Sequence, residues 1–364
     1  MRDIALKAGV SQSTVSRVLN DVATRVPITA ETRERVHQAA RELGYRPNPL
    51  ARGLRGAPTM LLGAVVRDIT DPFFAGAIEA LSREARARGY NVVLGHAHGR
   101  ADEAIALTAV LETRHCDAIV LLGDMQEQPR LLKDLRDSIV PVVGLWQGTS
   151  PLEVPTVDVD NAAGIRAGLE HLVGLGHADI AFVSARLLGD IREREAAFVE
   201  FMSERFGGVP EGFIRQVPNT PTGGETAARN LLALARPPTA IMTSTDTIAM
   251  GVLHEAHALD LSVPRDLSVV GFDDILLAGH TIPALTTLRM PTADIVREGI
   301  ELAIDAAREP RQPREPTVKV IAPSLIVRRS TAPPPGRPPP RPTRAGGSRR
   351  STASPRPGSR AAAS

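Results

Sequence analysis

From Met60 onward the chain repeats one texture, and that repetition limits its possible folds more than any other feature. Short apolar, β-branched runs recur at 61–66, 92–94, 118–122, 140–144, 180–183, 240–242 and 268–271. Between most of them lie longer stretches with helical apolar spacing, such as 74–88 and 162–175. Apolar runs without polar alternation suit strands buried on both faces, and covering helices join such strands in parallel. A parallel sheet wrapped by helices is therefore expected. Roughly 260 residues of this pattern exceed one ordinary open sheet, so two similar α/β subdomains are predicted.

The flanking segments lack this texture. Residues 1–56 show short apolar spacings and no strand alternation, and are predicted all-α. After Ser330 the sequence turns to proline, arginine, glycine and serine (PPPGRPPPRPTRAGGSRR), with too little apolar content to offset the entropy of ordering; disorder is predicted over 331–364. Charge follows the same division. Residues 1–56 carry ten basic and five acidic groups, a balance of +5, and residues 328–364 carry nine arginines and no acid. The region between, 57–327, holds the remaining 24 basic and 36 acidic groups and stands at −12, which the net charge of +2 conceals. Basic ends around an acidic body point to a polyanion at one or both ends. The single Cys116 excludes a disulfide framework and a multi-cysteine zinc site. No apolar run approaches a membrane span and no secretion-signal core is present, so a soluble cytoplasmic protein is expected.

The segment 4–19, IALKAGVSQSTVSRVL, carries the first specific chemistry. Ile4, Ala5 and Ala8 mark a short apolar face, and Gly9 can adopt the positive φ that ends a helix. Ser11 suits the N-cap of a second helix over 12–20, with Val15, Val18 and Leu19 turned inward. Gln12, Ser13, Ser16 and Arg17 then face outward. This spacing is that of a helix-turn-helix, whose second helix enters the major groove with its N-terminal side chains at base edges. Arg17 suits guanine, and Gln12 suits adenine or another base edge. The competing reading is a two-helix hairpin with a solvated face, but such a face would carry Glu–Lys pairs rather than short polar and basic residues. A third helix is predicted over 30–43, capped by Thr29, with Glu31 in its first turn, Val36, Ala40 and Leu43 as its apolar stripe and Gly44 as its stop. Asn48 followed by Pro49 then starts a helix of only about two turns, weakened by Gly53. Leu54, flanked by Arg52 and Arg55, suits either a wedge that opens the minor groove or a linker residue docked on the next domain.

Together IALKAGVSQSTVSRVLN, ETRERV and LGYRPNPLARGLR closely resemble the DNA-binding head of the LacI–GalR family of bacterial repressors. The resemblance implies that Gln12, Ser13 and Arg17 read bases. It implies phosphate contacts from Thr14, Ser16, Asn20, Thr29 and Thr32, and an intercalating Leu54 in a DNA-contacting hinge that includes Asn48, Ala51 and Arg55. Two features depart from the family pattern. Only Met1 and Arg2 precede Asp3, so either the start lies elsewhere or the first helix frays. The loop 21–28 is also longer than in the family.

The resemblance continues through LLGAVVRDITDPFF, VDVDNAAGIRAGLEHLVGLGH, TSTDTIAMG, VVGFDD and PALTTLRMP. It implies a body like the periplasmic sugar-binding proteins, with two parallel-sheet lobes, three crossovers and a small effector in the cleft between them. Ligands of open α/β sheets bind beyond the carboxyl ends of strands. Asp71, Phe73, Phe74, Trp146, Asp246 and Asp273 all follow predicted strands. By resemblance Phe73, Phe74, Trp146, Arg194, Thr245, Asp246 and Asp273 line the cleft, where carboxylates and arginine bind hydroxyls and an aromatic covers a sugar ring. Phe74 and Trp146 equally suit core packing, and Asp246 and Asp273 equally suit helix caps. Thr245 and Met290 stand where the family commonly has asparagine and glutamine, so the ligand is less hydroxylated than a simple hexose or its contacts have moved.

The resulting division is a head (1–46), a hinge (47–58), a two-lobed body (59–330) and a tail (331–364). His254 and His257 are three apart where a zincin helix needs four, Asp158-Val-Asp160-Asn161 lacks the later ligands of a calcium loop, and no phosphate loop or nucleophile elbow occurs. No catalytic residue, cofactor or metal is therefore expected. A solute-binding protein would need a secretion signal and no head, and an enzyme would need a catalytic constellation. The expected function is a nucleoid-associated transcriptional regulator, a repressor, that binds a palindromic operator as a homodimer. Its switch would be a sugar-like effector, and a tetramer is not excluded.

Overall fold

The computed structural model describes residues 1–19, 27–45, 58–125, 129–148, 154–185, 189–309 and 316–336. The first two stretches form three helices, α1 (Arg2–Ala8), α2 (Gln12–Leu19) and α3 (Ala30–Glu42). Their core is small: Ile4, Ala5, Ala8, Val15, Val18, Val36, Ala39 and Ala40 are buried together. Gly9 ends α1 in the left-handed region at φ 65°, which a side chain would resist. Ser11 caps α2 by accepting from the Thr14 N–H at 3.1 Å, and the Thr29 hydroxyl accepts from Thr32 N–H at 3.3 Å. The first helix forms, but Met1 supplies no side-chain cap. Helix α3 stops one residue earlier than predicted. Leu43 is 44% exposed and Ala39 takes the inward place expected for it.

The body contains two six-stranded sheets. The first is built from β1 (Leu61–Val66), β2 (Asn91–His96), β3 (Ala118–Leu122), β4 (Val142–Leu145) and β5 (Thr156–Val159), all paired in parallel in the order 2-1-3-4-5. The second is built from β6 (Ile180–Ala185), β7 (Ile214–Val217), β8 (Ala240–Thr243), β9 (Ser268–Asp273) and β10 (Thr286–Arg289), in the order 7-6-8-9-10. The two orders are the same doubly wound pattern, which leaves a crevice at the carboxyl ends of the strands where the winding reverses. Two late strands complete the sheets: β11 (Val318–Ile321) pairs with β5 in parallel, and β12 (Ser324–Ile326) pairs with β10 in antiparallel.

Helices α4 (Pro72–Ala87), α5 (Ala101–Thr113) and α6 (Pro129–Arg136) belong to the first lobe. Helices α7 (Asn161–Leu175), α8 (Gly189–Phe206), α9 (Pro221–Leu232) and α10 (Asp246–Ala258) belong to the second. Helix α11 (Thr292–Arg308) follows β10 of the second lobe yet packs on α4, β3 and β4 of the first. The chain therefore passes between lobes three times: between β5 and α7, between β10 and α11, and between β11 and β12. One apolar cluster contains Phe74 and Leu122 from the first lobe and Phe272 and Leu288 from the second, so the lobes share one core, while each also has a cluster of its own on its other face.

Five strands escape the sequence pattern. β5, β7, β10, β11 and β12 have three or four residues each, and β7 (IRQV), β10 (TTLR) and β11 (VKVI) carry polar or charged side chains. Strands this short stand because neighbours already pair with them, which no local period records. The C-terminal segment also extends the lobe beyond the expected limit. Ser330 is fully buried and bonds β9 and β10, while Ala332 C=O accepts from His177 Nε2 at 2.8 Å. Thr331, whose hydroxyl lies 2.9 Å from His171 Nε2, and Ala332 thus join the second lobe, and the expected tail from 337 on lies outside the described residues.

The closest helix approach is between α9 and α10. A Cβ on Gly251 would lie 1.9 Å from the Pro221 carbonyl oxygen, and one on Gly224 would lie 2.1 Å from that of Ile248. Gly251→Ala is expected to destabilise by about 3 kcal/mol, because the atom in the way is backbone. Gly174 in α7 has open space around it, and Gly174→Ala is expected to stabilise by about 0.5–1 kcal/mol. Urea-denaturation midpoints of the two variants should move in opposite directions.

Candidate functional site

On the head, α2 presents Gln12, Ser13 and Arg17 to solvent, while Thr14 and Ser16 are half-buried at the sides of the same helix. Ser11 organises the start of this face, with its hydroxyl 2.7 Å from Ser13 Oγ and 2.8 Å from Thr14 Oγ1. Thr29 is exposed and donates to Thr32 Oγ1 at 2.9 Å, so both hydroxyls sit at the N-terminus of α3. That end, with its unpaired N–H groups and positive dipole, suits a phosphate. Asn20, Asn48, Ala51, Leu54 and Arg55 lie outside the described residues.

The second candidate site lies between the lobes. Asp71 closes the loop after β1 and caps α4 by accepting from Phe73 N–H at 3.1 Å. Phe73 meets both Phe74 and Trp146 edge to face, at centroid distances of 5.2 and 5.1 Å. Trp146, just beyond β4, holds φ at 56°, an unusual backbone for a large residue that aims its indole into the cleft. Phe74 and Trp146 are both core residues and cavity walls, so the two readings of these aromatics coexist.

From the second lobe comes Arg194, on α8 and 2% exposed. Its Nε donates to Asn161 Oδ1 at 2.8 Å, and its Nη1 donates to Ser244 C=O at 2.6 Å and Asp273 Oδ1 at 3.3 Å. Its Nη2 stands 3.5 Å from Asp190, and its plane covers the Phe272 ring at 3.8 Å. Thr245 caps α10 and donates to Asn219 Oδ1 at 2.7 Å. Asn219 in turn donates to Asp71 Oδ2 across the cleft at 3.1 Å. Arg67 reaches the opposite way, 3.5 Å from Asp71 and 3.7 Å from Asp190.

Seven of the eight residues expected at the effector site line this cavity: Asp71, Phe73, Phe74, Trp146, Arg194, Thr245 and Asp273. Asp246 does not. Fully buried behind the wall, it accepts from Thr287 Oγ1 at 2.5 Å and from Ile275 N–H at 2.9 Å, and so pins the end of β9 to β10. Its position after β8 is right for a cleft residue, but its side chain turns inward to satisfy two buried donors. Sequence reasoning missed Arg67, Asp190 and Ile191, which also form the walls. Two of these left a trace: Arg67 lies four residues before Asp71, and Asp190 lies four before Arg194 on one helix face.

Burial dominates the electrostatics. It pushes the Asp71 carboxyl up against the opposing pull of Arg67, with Asp190 and Asp68 adding to the rise. It raises Asp273 well above the usual carboxylate range, opposed by Arg194 and assisted by Asp246, Asp71 and Asp190. Asp246 and Asp158 are both pushed up to about 7 by burial. The cavity between these walls has a volume of about 10 Å³, room for roughly one water. A ring-sized ligand enters only if the lobes move apart.

Among the described residues no group of three or more His, Cys, Asp and Glu side chains could hold a metal, and no helix is long and apolar enough to cross a membrane.

Residues 1–48 match the family of bacterial regulatory proteins called lacI, and residues 169–331 match the periplasmic binding protein-like domain. The chain is 33% identical over 339 residues to the HTH-type transcriptional repressor PurR of Erwinia tasmaniensis, covering 91% of this chain and 96% of that protein. It is 33% identical over 307 residues to the HTH-type transcriptional repressor CytR of Escherichia coli K12, covering 84% and 89%. Among solved structures, the Lac repressor dimer bound to operator and the anti-inducer ONPF superposes with a TM-score of 0.80 at 25% identity, covering 91% of this chain and 98% of that one. The CelR–cellobiose complex superposes at 0.67 with 29% identity, covering 90% and 98%.

The buried carboxyl of Asp246 makes stability depend on pH. A carboxyl whose folded value is about 7 lies above its unfolded value near 4, so its stabilising contribution is full below about pH 4 and is lost as pH rises through 7. Half-buried His171 and buried His177, both lowered by desolvation, act in the opposite direction as pH falls. The Asp246 contribution is therefore read as a difference. Relative to Asp246→Asn, the wild-type chain should lose stability between pH 5 and pH 8, measured by thermal denaturation; parallel curves would contradict the assignment.

Proposed function

The chain belongs to the LacI family of bacterial regulatory proteins, and on that premise we propose that it is a sequence-specific transcriptional repressor controlled by a small effector. The observation that carries this reading is the exposed face of α2. Gln12, Ser13 and Arg17 stand in solvent at the front of the helix, above a core that Val15 and Val18 fix from behind. A helix so placed reads base edges in the major groove, with Thr14, Ser16, Asn20, Thr29 and Thr32 holding the adjacent phosphates. Asn48, Ala51, Leu54 and Arg55 belong to a hinge over 47–58 that contacts the minor groove, with Leu54 as the wedge. The head (1–46), the body (59–330, with Thr331 and Ala332 bonded to it) and the remaining tail complete the division of labour. The balance of +5 on residues 1–56 supplies attraction to any DNA, and base contacts supply the choice of operator.

The second lobe's surface supports a homodimer. Leu276 is 84% exposed, and Ile282, 96% exposed, lines a groove of about 760 Å³ with Leu253, Leu261 and Val263. Exposed apolar surface of this kind marks an interaction site. Two copies joined there would carry two heads to successive major grooves of a palindromic operator. The effector, a sugar or related polar metabolite, occupies the cleft walled by Asp71, Phe73, Phe74, Trp146, Arg194, Thr245 and Asp273. Because the closed cavity is smaller than any such ligand, binding requires lobe movement, and the three crossovers transmit that movement to β1, from whose start the head is tethered. A protein that acts on chromosomal DNA works in the bacterial cytoplasm, at the nucleoid. The arginine-rich tail adds non-specific affinity by counterion release, or is a solvated extension without a role.

Genome-wide footprinting of the purified protein would give the operator. On that site Arg17→Ala is expected to lose about 1–3 kcal/mol of specific binding and to keep weak, salt-sensitive binding to random DNA. Equal losses on both DNAs would contradict base readout. Ile282→Asp is expected to shift the chain from dimer to monomer in analytical ultracentrifugation, and an unchanged sedimentation coefficient would move the interface elsewhere.

A further inference from the structure

Strand β9 ends in a turn that most side chains resist. Two successive residues other than glycine hold positive φ there, Asp273 at 118° and Asp274 at 54°. Aspartate visits the left-handed region more readily than most residues, but 118° lies beyond it. Backbone of this kind persists only where its surroundings fix it from several sides.

Contacts from three successive residues do so. Asp273 accepts from Arg194 Nη1 at 3.3 Å, inside the cleft. Asp274 serves a different set of partners, accepting from Arg289 Nε and from Arg328 Nη2, each at 2.6 Å. Ile275 then donates its N–H to Asp246 Oδ2 at 2.9 Å. The two arginines on Asp274 are unequal. The Arg289 side chain is 55% exposed, and an ion pair so open to water contributes little. The Arg328 side chain is 20% exposed, its Nη1 donates to Leu285 C=O at 2.8 Å, and its backbone N–H donates to Thr286 Oγ1 at 2.9 Å. A guanidinium anchored on a carbonyl presents its other nitrogen to the carboxylate in a fixed geometry. Arg328 stands two residues beyond β12, at the end of the last passage between the lobes. It therefore joins that passage to the residue beside Asp273.

We propose that Arg328 is a positioning residue of the cleft: through Asp274 it holds the strained turn that keeps Asp273 on Arg194. Arg328 lies outside the cavity wall and meets no ligand in this role. The inference rests on the reading of the cleft as the effector site and adds a residue behind the wall on which the wall's geometry depends. Without the clamp the turn relaxes toward negative φ and Asp273 leaves Arg194. A buried guanidinium with one partner fewer then draws water into the cavity beside Trp146.

Trp146, the single tryptophan of the chain, is a built-in probe, since it is 2% exposed and lines the same cavity as Asp273. In the full chain, acrylamide quenching of its fluorescence well below the unfolding temperature reads access to the cleft, and thermal unfolding reads overall stability. Arg328→Ala should raise the quenching as far as Asp273→Ala does. Adding Asp274→Gly to Arg328→Ala should return the quenching to the wild-type level, because glycine takes positive φ without strain. The unfolding temperature of that double variant should stay lowered by the lost ion pair, a split that plain stabilisation would not produce. If Arg328→Ala does not fold, Arg328→Gln, which keeps a donor for the Leu285 carbonyl, is read in its place, alone and with Asp274→Gly. Quenching unchanged by the loss of Arg328, or raised and not restored by the glycine, overturns the inference. The underlying reading fails separately: a compound that binds the cleft and leaves operator affinity unchanged removes the switch, wherever Asp273 points.

Discussion

The buried guanidinium of Arg194 holds the cleft together. A charge taken out of water at 2% exposure survives only if it is paired and its donors are used. Arg194 meets that condition with groups from four places: Asn161 at the start of α7, Ser244 beyond β8, Asp273 at the end of β9, and Asp190 one turn earlier on α8. These are the elements whose ends form the second lobe's side of the cleft. The same side chain stacks on Phe272, so the polar network and the apolar core are fixed against each other. The carboxylates beside the arginine, Asp190 and Asp273, come from its own helix and from the end of β9.

Three passages of the chain between lobes give this site its mechanical setting. Because α11 leaves the second sheet and packs on the first, the first lobe is covered in part by a helix that follows the second. Polar contacts also cross the opening, from Asn219 to Asp71 and from Arg67 to Asp190. These contacts hold the lobes together on both sides of the cleft, and the first lobe carries β1, the first strand after the three-helix head. Charge divides along the chain as well, with a balance of +5 on residues 1–56 and −12 on residues 57–327.

Local signals made much of this legible. Gly9, Ser11 and Thr29 act as the stop and caps that their residue types suggest, and the apolar runs at 61–66 and 118–122 are strands with the bounds read from sequence. Cleft positions were legible where a residue follows a strand, as Asp71, Trp146 and Asp273 do. That rule overreached at Asp246, which has the right address and the wrong orientation. Its carboxylate turns to Thr287 and Ile275, residues distant in sequence, and position along the chain does not record which way a side chain must turn to meet them. Arg67 and Asp190 were missed for the converse reason. Each becomes a wall residue only when the opposite lobe arrives.

The sequence by itself determined the helix-turn-helix and the repeated α/β architecture, because these depend on periodicity, caps and turn residues that act over a few positions. Tertiary structure alone decided how the lobes share helices, which strands of three or four residues form, and where the C-terminal segment attaches through Ser330 and Ala332. It also decided the balance of charge in the cleft. The physical reason is the same in each case: pairing, burial and the desolvation of a charge are properties of groups brought together in space, and their energies are not written at any one position of the chain.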